Sequence, residues 1–256
     1  MTRPCVTREQ LLSACNDVLQ PQRFKDYGPN GLQVEGRAQI HHIVSGVTAS
    51  RALIEAAIDL KADAIFVHHG LFWRGQDGTV TGWMKQRLQL LLQHDINLLA
   101  YHLPLDAHPE WGNNAQLAQR FGFEVMSSFG EQDLGLLGSR VHQPAFANAQ
   151  ALADHVQQVL GRAVVCIEGD GRPIQRVGWC SGGAQSYFEA AIAAGADAFI
   201  TGELSEPQAH LARETGVAFL ACGHHATERY GAPAVAAHVA AQLGLTHRFV
   251  DIDNPA

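Results

Sequence analysis

Three things are missing from this sequence. No two cysteines stand in a CxxC spacing: Cys5, Cys15, Cys166, Cys180 and Cys222 are scattered and odd in number. That argues against a disulfide framework and a thiolate zinc finger, and the five read as reduced thiols. No stretch is rich in Lys or Arg and the net charge is -7, so the composition encodes no phosphate-neutralising surface and direct nucleic-acid binding is disfavoured. No apolar run approaches the roughly 20 residues that cross a bilayer. The opening MTRPCVTREQLLSACNDVLQ lacks a continuous apolar stretch and a small-residue cleavage site. It predicts a helix and not a signal peptide, and a cytoplasmic location is expected.

What the chain has instead is histidine: 14 of them, with doublets at His41-His42, His68-His69 and His224-His225. The 256 residues, 46% hydrophobic, are enough for one large α/β domain or two ordinary ones.

An internal repeat favours two. EAAIDLKADAIF (55–66) and EAAIAAGADAFI (189–200) match at seven of twelve positions with an offset of 134. Each is preceded by a β-rich run and a small-residue turn, IVSGVTAS and VGWCSGGAQS. Ser186 with Glu189 predicts a capping box. Each half then reads strand, helix, strand, helix, strand, a parallel α/β pattern. The later strands are AIFVH (64–68) and INLLAYH (96–102) in the first half, AFIT (198–201) and VAFLACG (217–223) in the second. The helix around WMKQRLQLLLQ carries Leu88, Leu91 and Leu92 at apolar spacing, and Ser205 with Gln208 could cap the corresponding helix of the second half. Between the halves, LGLLGSRVH, ANAQALADHVQQVLG and AVVCIEGDGRPIQRVGW predict a strand, a helix and a hairpin turning at Gly169-Asp170-Gly171. The polar segment near 126–133 marks a boundary. The expectation is an α/β protein of two related lobes, 1–127 and 128–256, with mostly parallel sheets and interleaving left open.

Ligands of parallel α/β sheets collect outside the carboxyl ends of the strands. His68 and His69 end AIFV; His102 and then Asp106 follow INLLAY; His224 and then Glu228 follow VAFLACG; Glu203 aligns with His69 across the repeat. Imidazole and carboxylate suit Zn, Mn, Fe, Ni or Co, and more than four such donors exceed one closed tetrahedral site, so two divalent ions in a cleft at the strand ends fit the count. Such a pair can activate a water and polarise an electrophile. His224 and Glu228, spaced i, i+4, can face one side of a helix. His68 and His69 can both coordinate only if the strand has ended, because neighbours on a strand point apart.

Other residues carry plainer readings. His41-His42 lies at the opposite strand end and is assigned no chemistry. His102 and His108 stand open between supporting the ligands and facing solvent. The turn at Ser181-Gly182-Gly183 is read as a tight turn before a phosphate loop, Asn30-Gly31 as a turn before a substrate loop, and Cys222 as a small buried residue before a soft ligand. Trp73 and Arg74 could engage an anionic ring or form an ordinary exposed loop.

In order along the chain, YGPNGLQVEG, GVTAS, IFVHHGLFWRG, YHLPLDAHPEWGNNAQLA, TGELSE and GHHATERYG resemble the NIF-three-like family, whose bacterial members are called GTP cyclohydrolase 1 type 2 homologues. The likeness runs from about residue 24 to the C-terminus. It implies two related α/β lobes in a ring-shaped homohexamer with a dinuclear metal site facing the interior. The ligands it implies are His68, His69, Asp106, His224 and Glu228, the last bridging. Longer relatives carry a domain between the halves, where this chain has only the short segment around 127–176.

The activity expected is a metal-dependent hydrolase acting on a nucleotide-like or other small anionic substrate, with His102 or Glu203 as candidate proton shuttle. The rival is a non-enzymatic metal-binding or scaffold protein; direct DNA association is third.

Overall fold

The computed structural model describes residues 5–256. Along the chain run β1 (Val6–Thr7), α1 (Arg8–Leu19), β2 (Gly31–Val34), β3 (Gln39–Ile40), β4 (His42–Thr48), α2 (Arg51–Asp59), β5 (Ala64–His69), α3 (Gly82–Gln93), β6 (Asn97–Ala100) and α4 (Leu103–Ala107). Then come α5 (Asn113–Phe121), β7 (Phe123–Phe129), β8 (Gly135–Arg140), α6 (Ala149–Leu160), β9 (Val165–Ile167), β10 (Val177–Trp179), α7 (Phe188–Ala193) and β11 (Ala198–Thr201). The chain ends with α8 (Glu206–Thr215), β12 (Ala218–Ala221), α9 (His224–Glu228), α10 (Gly231–Leu243) and β13 (Thr246–Phe249). No helix among the described residues is long and apolar enough to cross a membrane.

The chain divides into two compact units: residues 1–112 with 231–253, and 113–230 with 254–256. They are not the consecutive halves 1–127 and 128–256. The polar 126–133 segment, expected to be a boundary, belongs instead to the β7–β8 antiparallel pair, where Phe129 faces Gly135. It reads as a linker because β7 is an edge strand whose five middle residues are exposed. The C-terminal α10 and β13 return to the first unit, β13 adding in parallel to β4 from Thr246↔His42 to Phe249↔Ser45.

In the first unit the sheet order is β13-β4-β5-β6-β2, parallel except for β2. Side chains alternate across it as strand geometry requires. Ile43, Ala64, Phe66, Leu99 and Tyr101 face a core shared with α1 and α10. Val44, Ile65, Val67, Leu98 and Ala100 face the other core, with α2 and α3. Both faces are covered, which is why these strands read as continuous apolar runs. On α3, Leu91 is fully buried, but Leu92 is 61% exposed and takes no part in the core the spacing assigned it.

The second unit departs from the expected mostly parallel sheet. Its order is β7-β8-β10-β11-β12-β9, with only β10·β11 and β11·β12 parallel. The hairpin expected at Gly169-Asp170-Gly171 does not form: β9 crosses to the far edge and pairs antiparallel with β12, Leu220 opposite Cys166. A Cβ on Gly169 would stand 2.0 Å from the Gly216 carbonyl oxygen, so the glycine lets the exit of β9 press against the turn before β12. Neither expected side-chain cap forms. Ser186 lies inside a 3-10 turn, Gln185–Tyr187, ahead of α7, and Ser205 precedes α8 without bonding its amides.

The repeat survives as shared register. Ile43↔Ala64 to Ser45↔Phe66 in the first sheet becomes Val177↔Ala198 to Trp179↔Ile200 in the second, the same offset of 134. Asp63 accepts hydrogen bonds from the His41 and His42 amides at 2.8 and 3.0 Å, and Asp197 from the Gln175 and Arg176 amides at 3.0 and 2.8 Å. The shared offset therefore preserves a carboxylate clamp that ties the start of one strand to the loop before the next.

Candidate metal centre

Each unit gathers donors where its inner strands end. In the first, β5 loses its β6 neighbour after Val67, while Thr48↔His69 still pairs on the β4 side. His68 and His69 therefore both belong to the strand, contrary to the requirement that it end before them. Their ring centroids lie 4.5 Å apart, tilted by 40°. His102, directly before α4, adds a third ring 5.0 Å from His68 and 5.8 Å from His69. One ligand nitrogen from each of the three lies within 4.8 Å of the others. Donors on one tetrahedral cation stand roughly 3.4 Å apart, so a cation would need to draw these inward only slightly. Asp106, buried in α4, puts its carboxylate 3.4 Å from His68 Nε2.

The far side of each imidazole is anchored. His68 Nδ1 is 3.1 Å from the Tyr101 carbonyl oxygen, His69 Nδ1 is 3.2 Å from the Thr48 hydroxyl, and His102 Nδ1 is 2.7 Å from Asp26 Oδ1. Asp26 is itself fixed by the Tyr27 amide at 2.6 Å, the Asn30 side-chain amide at 2.9 Å and the Leu103 amide at 2.9 Å. Burial pushes its pKa up, but hydrogen bonds from His102, Asn30 and the Tyr27 amide outweigh that and hold the carboxyl below its ordinary range. Asn30 Oδ1 also accepts from the His102 amide at 2.7 Å. The Asn30-Gly31 pair, read as a turn, thus supports the site. Asp26 was not singled out in the sequence; it stands one residue before YGPNGLQVEG, the first of the motifs that carry the family resemblance.

In the second unit α9 places His224 and Glu228 one turn apart, as their spacing required. His224 Nε2 is 3.2 Å from Glu228 Oε2 and its Nδ1 is 2.6 Å from Glu203 Oε1. Desolvation would lower the His224 pKa, but the two carboxylates prevail and raise it to about 9. A Cβ on Gly182, whose φ is +68°, would fall 2.0 Å from Glu228 Oε1 and 3.2 Å from His224 Nε2, so the glycine leaves room that these donors use. The Gly182 amide donates to the Thr227 hydroxyl at 2.9 Å, which makes Ser181-Gly182-Gly183 a bonded tight turn and not an open phosphate loop.

The remaining candidates fall elsewhere. His108 Nδ1 accepts from the Glu110 and Trp111 amides at 3.2 and 3.0 Å, shaping a turn. Cys222 is fully buried and burial drives its thiol pKa upward, away from the thiolate a metal needs. Trp73 stands edge-on to His102 at 5.0 Å, and the Arg74 guanidinium donates to the Asp26 carbonyl at 2.7 Å, so this loop packs on the histidine cluster. Neutral imidazole with carboxylate is a donor set suited to borderline divalent cations, and the residues fit a metal on that chemistry.

The family model for Duf34/NIF3 (NGG1p interacting factor 3) matches residues 6–255. A Neisseria meningitidis serogroup A protein named GTP cyclohydrolase 1 type 2 homolog is 54% identical over 98% of this chain and 100% of its own. One of the same name from Pseudomonas aeruginosa is 50% identical over 96% and 97%. A solved structure described as protein ybgI, of unknown function, superposes with a TM-score of 0.93 at 45% identity, covering 98% of this chain and 100% of that one.

Proposed function

The chain belongs to the Duf34/NIF3 family, and from that premise we propose that it is a dinuclear metal protein that hydrolyses a nucleotide-like or other small anionic substrate, working in the cytoplasm as a ring-shaped homohexamer. His68, His69, Asp106, His224 and Glu228 would hold the divalent cations. The observation that carries the reading is the histidine cluster at the end of β5, whose ring nitrogens lie within 4.8 Å of one another. The shared strand register of the two units adds support, since it sets both donor groups at equivalent strand ends.

Two such cations, when bound, supply an activated water and a polarised electrophile. The chain's own contribution is orientation and proton handling. The Tyr101 carbonyl fixes the His68 ring and Thr48 the His69 ring, so the donor geometry is set before substrate arrives. Glu203, half exposed and bonded to His224 Nδ1, would pass a proton between that ring and solvent.

The test loads metal-stripped protein with Mn or Zn and screens nucleotides, cyclic amides and phosphoesters. Turnover of at least one class is expected, with His69→Ala and Glu228→Ala each losing on the order of 100-fold or more while far-UV circular dichroism is unchanged. Bound metal without turnover of any class would leave a metal-holding scaffold. Failure to bind metal would overturn the whole reading.

A further inference from the structure

We propose that the cavity beside the histidine cluster is a subsite for a single heteroaromatic ring of the substrate, an aminopyrimidine, with Trp73 as its wall and Gln76 and Asp77 as the residues that select the amino group. The inference deepens the hydrolase reading above and rests on it, since it places the ring of a substrate whose anionic part would lie at the cations.

The cavity is apolar inside and polar at its mouth. Met84, buried on α3, half-buried Phe72 and Trp73, and exposed Val80 line it, together with exposed Gln76 and Asp77. Its volume is about 90 Å³. A closed cavity of about 150 Å³ takes benzene, so this one seats the edge of one ring and has no room for a fused pair. No Lys or Arg lines it, and a carboxylate at the mouth repels an anion, so a phosphate is not its occupant.

The wall is fixed from behind. The Arg74 amide donates to the Tyr27 carbonyl at 2.6 Å, the Trp73 amide to Gln76 Oε1 at 3.1 Å, and the Gln76 amide to the Trp73 carbonyl at 3.2 Å. A Cβ on Gly28 would stand 2.5 Å from the Phe72 carbonyl oxygen and 3.4 Å from Trp73 Cε3, so this glycine lets the wall press against the 26–28 segment. The same indole stands 5.0 Å from the His102 ring and 6.0 Å from the His69 ring. A ligand ring seated against Trp73 therefore has the histidine cluster as its neighbour.

The mouth sets the chemistry. Gln76 Oε1 is taken by the Trp73 amide, which leaves the side-chain NH2 to donate. Asp77 Oδ1 accepts from the Thr79 amide at 3.1 Å, and its Oδ2 has no partner among the described residues. One acceptor beside one donor complements an amino group next to a ring nitrogen: the amino N–H donates to Asp77 and the ring nitrogen accepts from Gln76. A carbonyl in place of the amino group would set two acceptors against each other.

The experiment uses the full-length protein, metal-free and Zn2+-loaded, with cytidine and uridine as probes, which differ at that edge of the ring. Equilibrium dialysis of radiolabelled nucleoside gives the affinity. Fluorine NMR of protein carrying 5-fluorotryptophan gives the place: the chain has four tryptophans, and Trp73→Phe identifies the signal expected to shift. Cytidine should bind at least about 5-fold more tightly than uridine. Asp77→Asn keeps an oxygen for the Thr79 amide and turns the other position into a donor, so it should erase or reverse that preference, a change that a merely structural residue would not produce. Trp73→Ala should weaken cytidine binding at least about 5-fold; if thermal melting shows that it unfolds early, the exposed Asp77→Asn decides alone. No saturable nucleoside binding, or a preference for cytidine that survives Asp77→Asn, would overturn the inference. Protein that binds cytidine as expected but no Zn2+ would instead overturn the metal reading and leave the ring site standing.

Discussion

The two units share one scaffold and present different donors from it. In each, a central strand is flanked by two parallel partners in the same register, and an aspartate, Asp63 or Asp197, clamps the amides at the start of the preceding strand. At the end of that central strand the first unit has His69 where the second has Glu203. The short helix after the third strand carries Asp106 in α4 but His224 and Glu228 in α9. The two units share the residues that set backbone geometry and differ at the strand ends, with an imidazole-rich group in one unit and a carboxylate-rich group in the other.

That pairing can be tested by removing the same part from each unit. Asp63 is buried and also pairs with Arg37 at 3.0 Å, whereas Arg172 stands 3.8 Å from Asp197. Asp63→Ala leaves two amides and a guanidinium without their acceptor and should cost about 3–5 kcal/mol, against about 1–3 kcal/mol for Asp197→Ala. Urea unfolding measures both. Equal costs would mean that the ion pair adds nothing to the clamp.

A second change acts on the second unit's donors alone. Gly182→Ala puts a methyl where Glu228 Oε1 lies, at a backbone φ of +68°. Cation binding should weaken by about 10–100-fold, with about 1–2 kcal/mol lost from the αL strain. Isothermal titration with Zn2+ or Mn2+ reads the first and thermal unfolding the second.

The smallest effect concerns a difference between the sheets. Only the first is extended by β13, where His247 bonds Ser45 Oγ at 2.8 Å. Burial, helped by nearby His42, pushes the His247 pKa down from 6.5 to about 4. The unfolded chain therefore takes up this proton first. The stabilisation is whole above about pH 6.5 and drains away as pH falls toward about 4. His247→Gln should flatten that acid-side loss by about 1–2 kcal/mol, a figure reduced for the half-buried position. Denaturant unfolding at several pH values checks it; an unchanged pH slope would place the dependence elsewhere.

Much of this architecture is legible in the residues. Strands such as Ala198–Thr201 coincide with the apolar runs, since a strand buried on both faces must be apolar throughout. The spacing of His224 and Glu228 correctly anticipates one helical face. What escaped was contextual. The edge strand β7 looks like a linker because solvent takes most of its length, and β9 looks like half of a hairpin because its partner β12 lies some fifty residues away in the chain. Nothing in the residues around Asp26 marks it as an anchor, because the histidine it holds, His102, is 76 residues away.

The sequence by itself determined the α/β class, the repeat, the family and the kinds of donor, because periodicity, duplication and side-chain chemistry are local properties. Only the tertiary structure decided the unit boundaries, the mixed second sheet and the anchoring of each imidazole. Those depend on which distant segments compete successfully for the same unpaired backbone and ring atoms, and that competition is resolved only when the whole chain folds.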